Sequence, residues 1–312
     1  MRPTLSPANV SLLSTVAQVR TGWVTAVRWS PDGQTIAVAT GQQVNLYVRS
    51  FGAQPTFRLT GFDAPVKNIA FSRYGKMIAA ASADGWLRLW DIRAAPTRSH
   101  TFQADDSLTC VCFSGDERRV VVGTGEGEVR IWEIATGTSA IMPDRHAAEV
   151  TAVIWDSGWV YSTGRDGKLL RHNVYEGGTA RVVANYTDAL RDLALNTRGR
   201  VAHAVSRDGN LNSWSSEGNL RSRVLAHDGG ADCVALTTNY ALLATGGRDN
   251  LVRLWDAKVL ITDEAEPIAT LNAHTKPVLA AAFNPLGTML VTGSGDNSVR
   301  LWSVEERNNA GN

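Results

Sequence analysis

The sequence predicts an all-β chain built from seven copies of one structural unit. Three observations support this fold class: one phrase recurs along the chain, its copies are evenly spaced, and short apolar segments alternate with turn residues. No run of ten or more residues shows the apolar periodicity of an amphipathic helix. With 312 residues, 44% of them hydrophobic, the chain can bury a large core.

The repeat is clearest in its turn-and-strand phrase. "TGGRDNLVRLWDAK" (245–258) returns as "TGSGDNSVRLWSV" (292–304) and as "AASADGWLRLWDIR" (80–93). The residues at the tryptophan position of this phrase, called the signature position here, are spaced 40 to 47 residues apart: Tyr47, Trp90, Trp132, His172, Trp214, Trp255 and Trp302. A period of this length is typical of propeller blades. Seven signature positions therefore predict seven blades.

Each copy also contains the strands that a blade needs. "VTAVRWSPDG" (24–33) predicts a strand that runs into a turn, because Pro presets φ and Gly accepts a positive φ. "QTIAVAT" (34–40) and "VNLYVR" (44–49) follow as the next two strands. These segments are apolar on both faces, as expected for sheets that are covered on both sides.

These motifs resemble those of the WD40-repeat β-propeller family over residues 10 to 306. Trp90-Asp91 and Trp255-Asp256 are Trp-Asp pairs at the signature position, whereas Trp155-Asp156 falls on a predicted innermost strand. The resemblance implies one domain over residues 1–312, with four antiparallel strands per blade and short terminal tails. It also implies that the N-terminal segment "VSLLSTVAQV" (10–19) completes the last blade beside residues 298–304.

The resemblance further implies a structural hydrogen-bonded tetrad in single blades. The matching residues are His227, Thr245, Asp249 and Trp255 in blade six, and His274, Thr292, Asp296 and Trp302 in blade seven. Blade four has His146, Ser162 and Asp166, but His172 replaces the tryptophan. A hydrolase needs one exposed nucleophile with an oxyanion hole, not repeated copies beside a tryptophan. We therefore expect no enzyme activity from these residues.

Composition and motif spacing argue against several other classes of protein. The net charge of +1 argues against a nucleic-acid binder. The sequence contains neither a stretch of 18 apolar residues nor a secretory signal, so no membrane span is expected. Three cysteines and no signal favour reduced thiols in the cytoplasm. The six histidines lack metal-ligand spacing. "GTGEGE" (123–128) precedes a strand, not the helix that a phosphate loop needs, so no cofactor is expected.

Function is then expected on a surface, through partner proteins or peptides. The residue before the turn aspartate, which projects onto a peptide-binding face in the family, is arginine in three consecutive blades: Arg165, Arg207 and Arg248. We call these three residues the arginine arc. Lys67 and Arg191, near the start of their inner strands, extend it, and Trp23 is a candidate aromatic anchor. Guanidinium geometry suits a carboxylate or a phosphate.

Two alternatives remain open from the sequence. Arginines beside turn aspartates are often only solvated or paired locally. "LRLWDIR" (87–93) resembles the box by which some WD40 proteins dock onto cullin-4 ubiquitin ligases, with Asp91 and Arg93 as the matching residues. The sequence therefore favours a scaffold or adaptor in a multiprotein complex, with a ligase substrate receptor as the alternative.

Overall fold

The computed structural model describes residues 2–175, 179–260 and 264–304. These residues form 28 strands and one short 3₁₀ helix, Val10–Leu12. The strands group into seven antiparallel four-stranded sheets. The predicted all-β, seven-bladed propeller is confirmed.

Strand β1 (Leu13–Arg20) precedes blade one. The strands of blades one to three follow the chain from the innermost strand outward. Blade one has β2 (Val24–Trp29), β3 (Thr35–Thr40), β4 (Gln43–Val48) and β5 (Phe57–Leu59). Blade two has β6 (Val66–Phe71), β7 (Met77–Ser82), β8 (Trp86–Asp91) and β9 (Thr97–Gln103). Blade three has β10 (Leu108–Phe113), β11 (Arg119–Thr124), β12 (Val129–Glu133) and β13 (Ser139–Ile141).

Blades four to seven repeat this order. Blade four has β14 (Val150–Asp156), β15 (Trp159–Gly164), β16 (Lys168–Asn173) and β17 (Arg181–Asn185). Blade five has β18 (Leu190–Asn196), β19 (Val201–Ser206), β20 (Asn210–Ser215) and β21 (Leu220–Leu225). Blade six has β22 (Ala231–Leu236), β23 (Leu242–Gly247), β24 (Val252–Asp256) and β25 (Ala269–Leu271). Blade seven has β26 (Val278–Phe283), β27 (Leu290–Ser294) and β28 (Ser298–Val304). Trp155-Asp156 ends the inner strand β14, as predicted.

The N-terminal strand closes the ring. Blade seven has the order β1-β28-β27-β26, so β1 supplies its outer strand. The register pairs Leu13 with Val304 and Arg20 with Ser298, with an irregularity between Thr15 and Ala17. This closure, expected from residues 10 to 19, removes the free edge that β28 would otherwise present. The expected ordered limit at residue 306 lies outside the described residues.

The residues before β1 also contribute to the core. Leu5 and Val10 are buried in a cluster with Leu254 and Leu271 of blade six and Trp302 of blade seven. The Leu5 amide donates to the Gly287 carbonyl at 2.7 Å. The N-terminal segment therefore contacts two blades besides completing the seventh sheet.

The hydrophobic core lies between the blades. Six of the seven buried clusters hold the signature residue of one blade against the aliphatic side chains of the preceding blade. For example, Trp90 of blade two packs with Leu46 and Phe62. The remaining cluster, between blades three and four, is aliphatic and has His172 at the signature position. Because each sheet is covered on both faces, the strands need apolar residues on both sides.

Hydrogen bonds also join neighbouring inner strands. The Thr25 hydroxyl of blade one donates to the Val66 carbonyl of blade two at 2.7 Å. The Thr109 hydroxyl of blade three donates to the Val150 carbonyl of blade four at 2.5 Å. These bonds connect the inner strands of adjacent blades.

Candidate partner-binding face

The propeller presents two faces that are built from different turns. The face that carries the turns between the second and third strands of each blade, together with the loops that lead into the inner strands, is called the top face. The bottom face carries the turns between the first and second strands and between the third and fourth. The arginine arc lies on the top face, as its turn positions require.

The geometry of these turns fixes where the arginines start. In blade four, Arg165 and Asp166 precede Gly167, which has a φ of +77°. A Cβ at this position would lie 2.2 Å from the Tyr186 carbonyl oxygen. Glycine is therefore required for the turn to approach the loop that leads into blade five.

A chain of hydrogen bonds supports the turn of blade six. Nδ1 of His227 lies 2.8 Å from Oδ1 of Asp249, and Nε2 lies 2.8 Å from Oγ1 of Thr245. The indole Nε1 of Trp255 donates to the same Thr245 hydroxyl at 3.0 Å. Because an ionised carboxylate can only accept, Asp249 places the proton of a neutral His227 on Nδ1. Nε2 accepts from the Thr245 hydroxyl, which itself accepts from Trp255. His227 then donates Nδ1–H to Asp249.

The pKa shifts in this tetrad favour that proton arrangement. Burial lowers the pKa of His227 and holds the imidazole neutral, although Asp249 opposes this. Burial alone would raise the pKa of Asp249, but Arg253 and His227 outweigh it and lower the pKa. Asp249 is therefore an ionised acceptor at neutral pH.

Blade seven repeats the tetrad. Nδ1 of His274 lies 3.0 Å from Oδ2 of Asp296, Nε2 lies 2.8 Å from Oγ1 of Thr292, and Trp302 donates to Thr292 at 2.9 Å. Against the effect of burial, bonds from Ser298, the Thr275 amide and His274 lower the pKa of Asp296 to about 2. Both tetrads lie within single blades and tie the top-face turn to the signature tryptophan.

Blade four retains only part of this arrangement. His146 contacts Asp166 and Ser162, both at 2.9 Å, through its two ring nitrogens. His172, at the signature position, is fully buried and neither of its ring nitrogens forms a hydrogen bond within the described chain. Burial, assisted by His146, lowers the pKa of His172 to about 4 against the opposing effects of the Pro143 backbone and Asp144. The blade therefore carries a neutral imidazole where the others pack a Trp or Tyr ring.

The hydroxyl groups of these networks are not placed to act on a substrate. Ser162, Thr245 and Thr292 are all fully buried. A nucleophile must reach the reacting atom of a bound substrate. The networks can orient the turns of the top face, and this is the role that their geometry supports.

Two arginines of the arc form ion pairs on the same face. Nε of Arg165 lies 2.8 Å from Oε2 of Glu149, and Nε of Arg248 lies 3.2 Å from Oδ2 of Asp232. Arg207 is exposed, and the described residues give it no ion pair. The local pairing considered as an alternative is therefore present at two of the three positions, while both paired arginines stay about half exposed.

Arg191 joins this group, whereas Lys67 and Trp23 lie on other blades. Arg191 pairs with Asp232, the carboxylate that it shares with Arg248. Burial lowers the pKa of Arg191, and the charges of Arg248 and Arg165 lower it further against the opposing effect of Asp232. The guanidinium groups of blades four, five and six are therefore close enough to interact.

The remaining predicted partner-binding residues are exposed but separate from the arc. Trp23 of blade one is 55% exposed, and its ring lies 3.3 Å from where a Cβ on Gly295 of blade seven would be. Gly295 occupies the turn position that carries arginine in the arc. Lys67 is an exposed residue of blade two. The structure thus gathers the basic residues of blades four to six and leaves Trp23 and Lys67 apart.

Asp91 and Arg93, the candidate ligase-docking box, lie at the end of β8 on the bottom face. Nε of Arg93 donates to Oδ1 and Oδ2 of Asp91 at 3.0 and 2.9 Å, and Nη2 contacts Oδ2 as well. Hydrogen bonds from Arg93 lower the pKa of Asp91 to about 2. The two side chains are therefore paired with each other.

The sequence analysis did not identify the carboxylates that pair with the arc. Asp232 is the second residue of the inner strand of blade six, which is also the position of Lys67 and Arg191 in their blades. Glu149 immediately precedes the inner strand of blade four. A position-by-position comparison of the seven inner strands could have found Asp232.

The cysteines and the possible metal ligands contribute no further site. Burial raises the pKa of Cys110 to about 12 and raises that of Cys233 as well, so these thiols stay protonated at neutral pH. All three cysteines are free. In the part of the chain that the structure describes, no cluster of three or more His, Cys, Asp or Glu side chains could hold a metal ion. Nor do the described residues include a helix long and apolar enough to span a bilayer.

Comparison with known proteins identifies the repeat. The family model for the WD domain, G-beta repeat, matches residues 12–47, 53–91, 96–133, 218–256 and 265–303. These segments cover more than half of the chain. Residues 134–217, which include blade four and the first three strands of blade five, lie outside them.

Individual relatives match at low identity. The chain is 26% identical over 204 residues to Periodic tryptophan protein 2 of Arabidopsis thaliana, which covers 60% of this chain and 22% of that protein. It is 25% identical over 131 residues to Target of rapamycin complex subunit LST8 of Bos taurus, covering 41% and 40%. It is 24% identical over 253 residues to Guanine nucleotide-binding protein subunit beta of Zea mays, covering 75% and 56%. The chain spans less than two thirds of the length of each of these relatives.

The seven sheets, the N-terminal closure, the two complete tetrads and the five matched segments agree. The chain belongs to the WD40-repeat family of β-propellers.

Proposed function

We propose that this chain is a non-catalytic scaffold that binds an acidic or phosphorylated segment of a partner protein on its top face. The observation that carries the proposal is the cluster of guanidinium groups on blades four to six. Arg165, Arg191, Arg207 and Arg248 lie on this face together with Glu149, Asp232 and the turn aspartates Asp166, Asp208 and Asp249. The proposal therefore rests on the exposure of the arc guanidinium groups and not on a local surplus of positive charge.

Arg207 is the residue best placed for the first contact with a partner. It is exposed and, among the described residues, has no ion pair to break before it binds. Arg165 can exchange its surface contact with Glu149 for a partner's carboxylate or phosphate, since surface ion pairs contribute only about 0–1 kcal/mol. The Asp232 side chain is buried and keeps Arg191 as a partner when Arg248 turns to a bound anion. The arginine arc can therefore be recruited at a low cost in stability.

The rigidity of the ring also supports a scaffold role. The tetrads of blades six and seven hold their turns to the buried signature tryptophans. A binding surface that is already formed loses little conformational entropy when a partner docks. The chain would then present the arginine arc in a fixed geometry.

The names of two relatives support membership of a complex. One is a subunit of a target of rapamycin complex and the other is a subunit of a guanine nucleotide-binding protein. By analogy, we propose that this chain acts as a subunit of a multiprotein complex. Our proposal of protein over nucleic-acid partners rests on the net charge of +1. A cytoplasmic location stays a proposal from the sequence alone.

The ligase-docking alternative has less support than the top face. Arg93 and Asp91 form an exposed pair of the same kind as Arg165 and Glu149, so pairing alone does not separate the two proposals. The top face is preferred because it adds Arg207, which has no ion pair among the described residues.

The test compares two triple variants with the same change in net charge. In the first, Arg165, Arg207 and Arg248 are changed to Ala. In the matched control, three exposed bottom-face arginines, Arg73, Arg118 and Arg198, are changed to Ala. Each chain captures partners from a host extract, and the affinity of each partner found with the wild type is then measured by titration.

We expect the top-face variant to bind its partner at least ~10-fold more weakly, since charge-assisted bonds contribute roughly 1.5–3 kcal/mol each. The bottom-face variant should bind like the wild type, and Arg207→Ala alone should weaken binding more than Arg165→Ala alone. A partner that binds both triple variants with wild-type affinity would refute the proposal. Both variants should melt like the wild type, which excludes unfolding as the cause.

A further inference from the structure

A second concave site lies between blades four and five, away from the arginine arc. It is a cavity of ≈ 470 Å³ that opens at the bottom face, and we call it the 4/5 groove. Its walls come from β15, β16 and β17 of blade four and from β19 and the adjoining turns of blade five. The volume is within the usual range for small-molecule sites.

Blade five has a small residue at a position where the other blades have a larger one, and this difference contributes to the groove. The residue paired with the signature residue on the second strand is a branched aliphatic in six blades: Ile36, Ile78, Val120, Val160, Leu243 and Leu290. In blade five it is Ala202, opposite Trp214. Ala202 lines the cavity, so the missing side-chain volume contributes to the open space.

Blade four supplies an aromatic wall that the other blades lack. Trp159 and Tyr161 lie two residues apart on β15, and both line the groove. At the position of Tyr161 the register places Ala37, Ala79 and Ala244 in blades one, two and six. The guanidinium carbon of Arg171 lies 4.2 Å from the centre of the Trp159 ring. One wall of the groove is therefore flat, aromatic and positively charged.

Three arginines of the groove are arranged as an anion site. Arg171 on β16 is directly opposite Arg181 on β17, and like charges in that arrangement repel. Arg200, at a φ of +51°, adds a third guanidinium from the turn of blade five. A bound anion would offset the repulsion between Arg171 and Arg181.

The acidic residues of the groove compensate only part of the arginine charge: Ser216 and, more weakly, Arg200 lower the pKa of Glu217. Glu217 accepts a hydrogen bond from Ser216 at 2.7 Å, and Asp156 accepts one from Ser157 at 3.1 Å. Arg181 donates to the backbone carbonyl of Glu217, not to its carboxylate. The lining thus has three guanidinium groups against two carboxylates.

From this geometry we propose that the 4/5 groove binds a phosphomonoester carried on a flat ring. The phosphate lies between Arg171, Arg181 and Arg200, and the ring packs against Trp159 and Tyr161. A phosphate carries about −1.5 to −2 charges at neutral pH, and arginine binds it through paired hydrogen bonds. The same chemistry is present in a phosphotyrosine side chain and in a free nucleoside monophosphate.

The test uses calorimetric titration with defined probes: phenyl phosphate, adenosine monophosphate, a phosphotyrosine peptide and inorganic phosphate. Ala202→Leu fills the groove with the residue that blades six and seven carry, so it should fold at least as well as the wild type. Arg171→Gln removes the central charge. Arg130→Gln, on the third strand of blade three and outside the residues that line the groove, is the control with the same change of charge.

We expect phenyl phosphate to bind about 10-fold or more tightly than inorganic phosphate, because the ring adds aromatic contacts. Ala202→Leu and Arg171→Gln should each weaken it at least ~10-fold, and Arg130→Gln should have no effect. Tighter binding of the peptide would identify a partner protein as the source, and tighter binding of the nucleotide would identify a free ligand.

Absence of binding by every probe at millimolar concentration would overturn the proposal, as would wild-type affinity in Ala202→Leu or Arg171→Gln. The top-face triple variant should retain binding to the groove. The two proposals can therefore fail independently.

Discussion

At the scale of single residues, position in the network determines what a tryptophan contributes. Trp255 is 1% exposed and donates to Thr245, which in turn donates to His227. Trp23 has the same side chain but is 55% exposed and makes no described hydrogen bond through its indole. The two residues therefore allow a matched comparison of a structural and a surface tryptophan.

Trp255→Ala should lower the free energy of unfolding by about 3–5 kcal/mol, because it leaves a large cavity in the core. It also removes one partner of the Thr245 hydroxyl. Trp23→Ala should change the free energy of unfolding by less than about 0.5 kcal/mol. Urea denaturation of both variants measures the difference. A similar loss in the two variants would contradict the structural role of the tetrad.

The sequence was sufficient to predict the hydrogen-bonded tetrads, but it did not predict the ion pairs of the arginine arc. The histidine, threonine, aspartate and tryptophan recur at one period, so their association follows from the repeat. Glu149 and Asp232 do not recur in the other blades, and only folding brings them next to Arg165 and Arg248. The repeat period identifies the contacts that the blades share. An ion pair found in one blade depends on residues that do not recur, so the period cannot predict it.

At the scale of the blades, the interface between blades three and four is the least regular. Its cluster contains Val150, Val153 and Val160 but no signature aromatic, since His172 occupies that place. Burial disfavours the protonated form of His172 and lowers its pKa to about 4. His203 of blade five is also buried, with a pKa of about 4, but its Nδ1 lies 2.9 Å from the Ser213 hydroxyl.

These histidines predict that acid destabilises the fold. Between pH 6.5 and 4 an unfolded histidine binds a proton that the folded site excludes, so stability is present above pH 6.5 and is lost as the pH falls. His172→Leu should remove about 2 kcal/mol of the loss between pH 7 and 5. It should also stabilise the chain at pH 7, because no unpaired nitrogen stays buried. Denaturant titrations at both pH values measure these effects.

His203→Leu is the control for this experiment. It should flatten the pH dependence in the same way, but it should be less favourable at pH 7 than His172→Leu, because the Ser213 hydroxyl then loses its partner. Equal pH dependence in wild type and His172→Leu would show that His172 does not titrate as the structure implies.

The 4/5 groove shows what the repeat could not predict at this scale. The sequence does contain Ala202, Trp159 and Tyr161, but their significance depends on strand register, which pairs Ala202 with Trp214 and Tyr161 with Arg171. All the residues that line the groove lie within residues 134–217, outside the matched family segments. The groove therefore lies where the chain departs most from the family repeat.

At the scale of the whole molecule, the chain is a ring whose two ends lie in one sheet. β1 pairs with β28 along its length, and the segment before β1 buries Leu5 between blades six and seven. The seven blades and this closure were predictable because a repeat count and a surplus N-terminal strand imply them. The packing of Leu5 was not predictable, because it depends on the shape of the closed ring.

Closure has a direct consequence for cooperativity. If β1 is an integral strand of blade seven, opening it exposes the edge of β28 and the cluster that contains Leu5 and Trp302. The amides of β1 should then exchange only when the ring itself opens. The fixed arrangement of top-face turns on which the proposed scaffold role depends requires this closed state.

Native-state hydrogen exchange at β1 and β28 tests this claim most directly. We predict that the amides of Leu13–Arg20 that hydrogen-bond to β28 exchange with the same free energy of opening as those of β27 and β28, close to that of global unfolding. Exchange of β1 at a much lower free energy, while β26 to β28 stay protected, would contradict a ring closed by its N-terminal strand.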